Sequence, residues 1–308
     1  MYLVILGDKY KFNKLELNKI ETQSKIIFIS IDNKTTQEII EELSKLYKQK
    51  KYKLIILNTQ TSISNEIIKY LTTLNLKGVK FLIIEHFLEK HLNKIYIPRD
   101  GSNISFLDEI TPYNKTQYFI KRIIDYSLSI PLIILSIPII IYSAYRIKKE
   151  SPDGPIFFKQ TRIGKNKKPF ICYKFRSMRT DIDFFDHYTQ DNDPRIFPWG
   201  AFMRKTRIDE LPQLWNVIKG DLHIIGPRAE WDELVKKYEK EWPFYHMRHI
   251  NAPGITGWAQ VNYPYGKNLE DTYQKLMYDL YYIKNWSFWL EVKTIFKTIW
   301  VIIRGKGL

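Results

Sequence analysis

Residues 123 to 145 form an almost unbroken apolar run, interrupted by Asp125, a few hydroxyl residues and two prolines, Pro131 and Pro138. A helix crosses a hydrocarbon layer with about 20 residues, so this run is long enough in principle to cross one. The flanks argue against a simple crossing. Lys121 and Arg122 precede the run and Arg146, Lys148 and Lys149 follow it, whereas a span concentrates basic residues at its cytoplasmic end. Both ends therefore read as cytoplasmic. Each proline removes an amide donor and clashes with the preceding turn, which predicts a kink. A re-entrant helix-break-helix that dips in and returns satisfies both observations. A proline-kinked single crossing and a buried core helix are the alternatives, and the core helix fits the length and flanking charge least.

Upstream, short β-type runs alternate with helical patterns. Leu3 to Leu6, Lys25 to Ile31, Lys53 to Asn58 and Val79 to Ile84 read as strands, and Thr36 to Lys51 and Ser64 to Leu74 as helices. The opening residues lack a basic stretch and read as a first strand, not a cleaved leader. This β-α order predicts a parallel, doubly wound sheet. A dinucleotide turn after the first strand needs several glycines, but only Gly7 stands there, so a regulatory or docking role is expected. The polar stretch Arg99 to Thr116, with Gly101, Ser102, Asn103, Pro112 and Asn114, marks the boundary. The expected division is 1–114, 115–150 for the membrane helix, and 151–308.

The formal charge of +15, from 48 Lys and Arg against 33 Asp and Glu, points to polyanionic partners: nucleic acid, an anionic membrane surface or phosphorylated substrates. The single cysteine, Cys172, excludes a disulfide framework and a multi-thiolate zinc site, and reads as a buried strand residue. His246 and His249 have no nearby carboxylate or cysteine to complete a metal set. Strands are expected at Ile156 to Lys159 and Phe170 to Phe175. Tyr281 to Arg304 reads as one amphipathic helix lying in a headgroup layer, aromatics inward and lysines toward phosphates, with core packing as the alternative.

Chemistry concentrates between residues 173 and 230. In Arg204-Lys205-Thr206-Arg207-Ile208-Asp209-Glu210-Leu211-Pro212 the proline predicts a helix starting at or just before Asp209 and stopping before Gly220. Asp209 would then sit at the positive end of a helix dipole, with Arg204 and Arg207 adding charge that grips a diphosphate. Adjacent helical residues project about 100° apart, so Asp209 and Glu210 suit separate roles. An ionised Asp can attack phosphorus, and a neighbouring Glu can handle a proton or orient a metal. An N-cap Asp with a first-turn Glu is the plain alternative. Gly226-Pro227-Arg228 presents an Arg after a rigid turn, suited to phosphate, and Tyr173 to Arg179 alternates bases and hydrophobes like a half-buried strand.

Taken in order, Arg122-Ile-Ile-Asp125, Gly154 to Gly164, Tyr173-Lys174-Phe175-Arg176-Ser177-Met178, Asp193-Pro194-Arg195, Asp209-Glu210-Leu211-Pro212-Gln213, Gly226-Pro227-Arg228 and Pro253 to Val261 resemble the bacterial sugar transferases. These are the monotopic polyprenyl-phosphate phosphoglycosyl transferases, and the resemblance covers about residue 118 onward. It implies transfer of a phosphosugar from a UDP-sugar to undecaprenyl phosphate, with release of UMP and with Mg2+, at the cytoplasmic face of the inner membrane. It also implies Asp209 as the nucleophile of a covalent phosphosugar intermediate and as metal ligand, and Glu210 as base or organiser of the site. Lys174, Arg204, Arg228 and Arg195 become substrate-binding residues. The implied fold is α/β: an N-terminal Rossmann-like parallel sheet domain, a re-entrant membrane helix, and a mixed α/β catalytic domain with interfacial amphipathic helices.

Some positions depart from that pattern. The membrane break is often Ser-Pro, but Ile137 precedes Pro138 and Ser136 stands one place early. Ala229 replaces a usual proline, Ala252 replaces a frequent Arg, and Asn262-Tyr263-Pro264-Tyr265-Gly266 resembles the exopolysaccharide-type branch. Expected partners are the UDP-sugar, undecaprenyl phosphate and membrane lipid; a homodimer stays open. A nucleic-acid-binding role lacks a recognition-helix or RNA-stacking signature. A catalytically silent membrane adaptor is the rival reading, against which stand the intact Asp209, Glu210, Lys174 and Arg228.

Overall fold

The structure, a computed structural model, describes residues 2–60, 63–99, 104–182, 193–264, 266 and 268–304. Gly101, Ser102 and Asn103 of the expected boundary, and Tyr265, lie outside the described residues. The chain divides into two compact units, Met1–Tyr96 and Ile97–Leu308.

The first unit runs β1 (Tyr2–Leu6), α1 (Lys14–Glu21), β2 (Lys25–Ile29), α2 (Thr36–Lys50), β3 (Leu54–Leu57), α3 (Asn65–Leu76), β4 (Lys80–Ile83) and a short α4 (Ile84–Phe87). The strands are parallel in the order β2-β1-β3-β4. Val4, Leu6 and Ile55 meet Ile39 and Leu43 of α2 and Ile67 and Leu71 of α3, because apolar residues recur at helical spacing on both helices. Thr35 and Glu38 form a capping box that fixes the start of α2. Ligands of such sheets bind where the strand order reverses, here between β1 and β3. That crevice holds the protein's own loop: the Asn58 side chain accepts from Tyr10 N–H at 2.8 Å and donates to the Gly7 and Tyr10 carbonyls. Gly7 has φ +94°, and an added Cβ would meet the Asn58 carbonyl oxygen at 2.5 Å. The lone glycine of the first turn thus serves close packing of backbone on backbone.

The second unit opens with α5 (Lys115–Glu150), started by a capping box between Asn114 and Gln117. The helix runs through Pro131 and Pro138 as a single assigned element, not as two helices about a break. Each proline lacks the amide of one ladder bond, and Ser136 donates to the Ile133 carbonyl at 3.0 Å, next in sequence to the carbonyl that Pro138 leaves without its usual donor. Its buried residues, Lys121, Asp125, Ser129, Ser136, Ser143 and Ile147, follow one stripe, while Ile130, Ile134, Leu135, Ile137 and Ile141 are exposed. Only 17% of its most apolar stretch is buried, which removes the core-helix alternative. Both ends are anchored on this one unit. Near the start, Arg122 donates to the Val217 and Ile218 carbonyls; at the other end, Glu150 accepts from Trp199 N–H at 2.7 Å and Ile147 packs with Phe175 and Phe197.

After it come β5 (Phe157–Ile163) and β6 (Pro169–Phe175), an antiparallel pair longer than the sequence suggests on the β5 side. Next are α6 (Pro198–Thr206), α7 (Gln213–Lys219), β7 (His223–Ile225), α8 (Asp232–Glu241), β8 (Gly254–Thr256) and α9 (Trp258–Asn262). β7 and β8 pair in parallel. The terminal amphipathic segment is two helices, α10 (Leu269–Lys284) and α11 (Phe288–Ile303), because Ser287 caps a new start by accepting from Leu290 N–H. Tyr282 and Ile283 are therefore core residues of α10. α11 keeps Trp289, Phe296, Trp300 and Ile303 exposed, and buries Glu291 and Thr294. Lys293 and Lys297 lie over the Trp258 ring at 5.3 and 4.8 Å, where cation–π attraction holds them, instead of extending outward.

Candidate functional site

The expected helix start at Asp209 is not what forms. α6 ends at Arg207, whose φ of 62° is left-handed, and Ile208–Glu210 make a single 3₁₀ turn before Pro212 opens α7. Pro212 has no amide to continue an α-ladder and restricts the residue before it, so the chain re-enters a helix only beyond it. Gly220 ends α7 in the left-handed region as expected. Asp209 and Glu210 are thus carried by a tight turn between two helices, both about nine-tenths buried.

Glu210 is the centre of a cationic ring. Its Oε1 lies 2.7 Å from Lys174 Nζ, 3.8 Å from Arg207 Nη1 and 4.0 Å from Arg228 Nη2. Burial alone would raise its pKa, but Lys174, Arg228 and Arg207 outweigh it and pull the carboxyl down to about 2. Asp209 responds in the opposite direction: burial first and the Glu210 charge second push it above its ordinary value, against Lys174, Arg204 and Arg207. Asp209 Oδ1 is buried without a hydrogen-bond partner. The two adjacent carboxylates thus have different surroundings, Glu210 ringed by cations and Asp209 with one oxygen unpaired.

The strand pair supplies the wall. Cys172 and Lys174 alternate onto one face of β6, and the register sets Gln160 opposite Cys172 and Arg162 opposite Phe170. Arg162, Cys172, Lys174, Gln213, Arg228 and Ile255 line a small cavity beside Glu210. Cys172 is buried, as expected, and burial raises its thiol.

Arg162 is the contributor that the sequence reading missed. It donates to the Ala229 carbonyl at 2.7 Å and to Gln160, and burial together with Arg228 lowers it to about 10. Alternation along β5 was the signal available for it. Arg207 was noted for charge, but its left-handed backbone had no sequence signature.

Among the expected site residues, Lys174, Arg228, Asp209 and Glu210 come together, and Arg204 acts on the carboxylates of both Asp209 and Asp193. Arg195 is paired with Asp193, its Nη2 lying 2.6 Å from Oδ2, and is held by this neighbour of its own motif. Arg176 is spent on structure, donating to Ser151 and Pro155. Among the described residues no group of three metal-ligating side chains occurs. Mg2+ commonly takes one or two carboxylates together with substrate phosphates, and the unpartnered Asp209 oxygen fits that requirement.

The second unit thus carries a buried carboxylate pair ringed by cations and a long apolar helix that is largely exposed. The family model of the bacterial sugar transferases matches residues 116–305, and the chain belongs to that family. It is 47% identical over 190 residues to the UDP-N-acetylgalactosamine-undecaprenyl-phosphate N-acetylgalactosaminephosphotransferase of Aeromonas hydrophila, covering 61% of this chain and 45% of that protein. It is 38% identical over 192 residues to the UDP-glucose:undecaprenyl-phosphate glucose-1-phosphate transferase of Escherichia coli (strain K12), covering 61% and 41%. The exopolysaccharide production protein PSS of Rhizobium leguminosarum bv. phaseoli is 40% identical over 196 residues, 61% of this chain and 98% of that protein. The chain thus spans less than half of the first two relatives and nearly all of the third.

Proposed function

We propose that the protein transfers a sugar 1-phosphate from a UDP-sugar to undecaprenyl phosphate in two displacements, the first membrane step of surface-glycan synthesis. The observation that carries this reading is the open, buried Asp209 oxygen beside a Glu210 held by Lys174, Arg207 and Arg228. In the first displacement an Asp209 oxygen attacks the sugar-bearing phosphorus. The bond between that phosphorus and the bridging oxygen breaks, and UMP leaves with the bridging oxygen. In the second, a phosphate oxygen of undecaprenyl phosphate attacks the same phosphorus and returns the electron pair to the Asp209 carboxylate, giving the polyprenyl diphosphate sugar.

Glu210 stays ionised and keeps the three cations aimed at one point until a diphosphate competes for them. Mg2+ would be held at Asp209 and would supply Lewis-acid charge neutralisation on the phosphates. The membrane reading is monotopic, on the cytoplasmic face of the inner membrane. It is supported by the anchoring of both ends of α5 on one unit, with exposed apolar residues between them, and by the exposed aromatics of α11.

The test is UMP release from a panel of UDP-sugars, with Mg2+ and undecaprenyl phosphate, by the full chain in nanodiscs. Release confined to one or two sugars and abolished by Asp209→Asn is the expected result. A sugar-phosphate mass adduct on Asp209 without acceptor is expected as well; its absence, with kinetics requiring both substrates at once, would sink the two-step form.

A further inference from the structure

β7 has three residues, and each of them is tied to a buried polar group from another element. Asp125 of α5 places Oδ2 2.6 Å from His223 Nδ1 and accepts Ile224 N–H through Oδ1 at 2.9 Å. The Tyr282 hydroxyl of α10 lies 3.2 Å from the Ile225 carbonyl oxygen. Lys121 of α5 and Glu291 of α11, both fully buried, pair at 2.5 Å, and Glu291 also meets Tyr282 and accepts from Trp286 Nε1. Burial keeps the His223 imidazole below its ordinary value. The neutral ring facing an acceptor-only carboxylate carries its proton on Nδ1.

The turn beyond β7 has no slack. Gly226 N–H donates to the Thr256 carbonyl and Gly254 N–H to the Pro227 carbonyl, each at 2.9 Å. A Cβ on Gly254 would stand 2.1 Å from Gly226 N. Pro227 then leads directly to Arg228, whose Nη2 is 4.0 Å from Glu210. A shift of β7 therefore passes through a rigid two-residue link to the guanidinium, and small misplacements at a reacting centre cost large factors in rate or affinity.

We infer that His223 is a positioning residue: with Asp125 it registers β7 against the membrane-inserted helix and thereby sets the approach of Arg228 to the bound diphosphate. The inference deepens the transfer reading and rests on its assignment of Arg228 to the UDP diphosphate. Removing the ring donor leaves the buried Asp125 Oδ2 with only the long 3.5 Å contact to Arg122 Nη1, Oδ1 still accepting from Ile224, a state that the surrounding backbone relaxes to escape. His223 lies in β7, so its substitution leaves the sequence of α5 unchanged.

The experiment measures UDP affinity by titration calorimetry on the full chain in nanodiscs, a readout independent of turnover. His223→Val is expected to weaken UDP by about tenfold or more, but by less than about twofold when Arg228→Ala is already present, since the effect travels through that side chain. His223→Asn offers an amide donor where Nδ1–H stands and is expected to stay within about threefold of the parent. Equal factors in both backgrounds, or a lowered melting temperature with unchanged UDP affinity, would overturn the inference. Unchanged affinity in Arg228→Ala alone would instead remove the assignment of Arg228, a separable failure. Should His223→Val not fold, His223→Gln, which mimics Nε2 and not Nδ1, is expected to weaken UDP where His223→Asn does not; equal affinities overturn the proposal.

Discussion

At the scale of single residues, environment decides what each titratable group does. Two adjacent carboxyls diverge because the ring of Lys174, Arg207 and Arg228 converges on one of them, leaving Asp209 with an unpaired oxygen. His249 offers a pH prediction. It is buried with neither ring nitrogen paired, and burial lowers it from 6.5 to about 3, helped by Arg248. The folded state holds it neutral down to about pH 3, whereas the unfolded chain protonates it near 6.5, so the unfolded state binds the extra proton in between. Stability is expected to fall as pH drops through that window, this group contributing about 1.4 kcal/mol per pH unit. His249→Phe should flatten the dependence in thermal melts at pH 6.5, 5.5 and 4.5; an unchanged slope would assign the loss to other groups. Asp209, Glu210, Lys174 and Arg228 were singled out in the sequence by the order of their motifs, and the structure brings the four together. The opposite pKa shifts were not legible there, because they depend on burial and on Lys174, 36 positions from Glu210, and Arg228, in the turn after β7, converging on Glu210 and not on Asp209.

At the scale of elements, glycines separate two kinds of constraint. Gly220 caps α7 at φ +89°, and an added Cβ would find only Arg122 at 3.9 Å. Gly220→Ala should therefore cost only backbone strain, about 1 kcal/mol. Gly254→Ala would force Cβ to 2.1 Å from Gly226 N and is expected to unfold the β7–β8 region or abolish soluble expression. Urea melts of the two variants check the contrast, which comparable losses would contradict. The four strands and the helices α2 and α3 of the first unit were readable within a few residues because alternation and 3.6-residue periodicity are local properties, whereas the short α1 and α4 were not read. The turn at Ile208–Glu210 and the division of the last segment into α10 and α11 were not, since they depend on Pro212 and Ser287 acting within tertiary packing. The long α5 shows the same division: its apolar length and basic flanks are sequence properties, while the anchoring of both ends on one unit is visible only in three dimensions.

At the scale of the whole molecule, the chain divides between Tyr96 and Ile97 into two compact units, and the family match falls entirely within the second. The exopolysaccharide production protein of Rhizobium leguminosarum bv. phaseoli aligns over 98% of its own length with 61% of this chain. Deletion of residues 1–96 is accordingly expected to leave a folded protein that releases UMP within about threefold of the full chain. Complete loss, from protein that still melts cooperatively, would make the first unit part of the catalytic apparatus. The sequence by itself determined the β-α order ahead of the apolar helix, that helix with its basic ends, and the acidic and basic residue types that meet around Glu210. Each of these depends on local composition or on motifs contiguous in the chain. Only the tertiary structure decided that Glu210, not Asp209, collects the cations, that Arg162 braces the Arg228 turn, and that Asp125 of the apolar helix holds His223. Those contacts join residues 67 to 98 positions apart for the last two, and no local pattern encodes a pairing whose energy exists only once both partners are buried together.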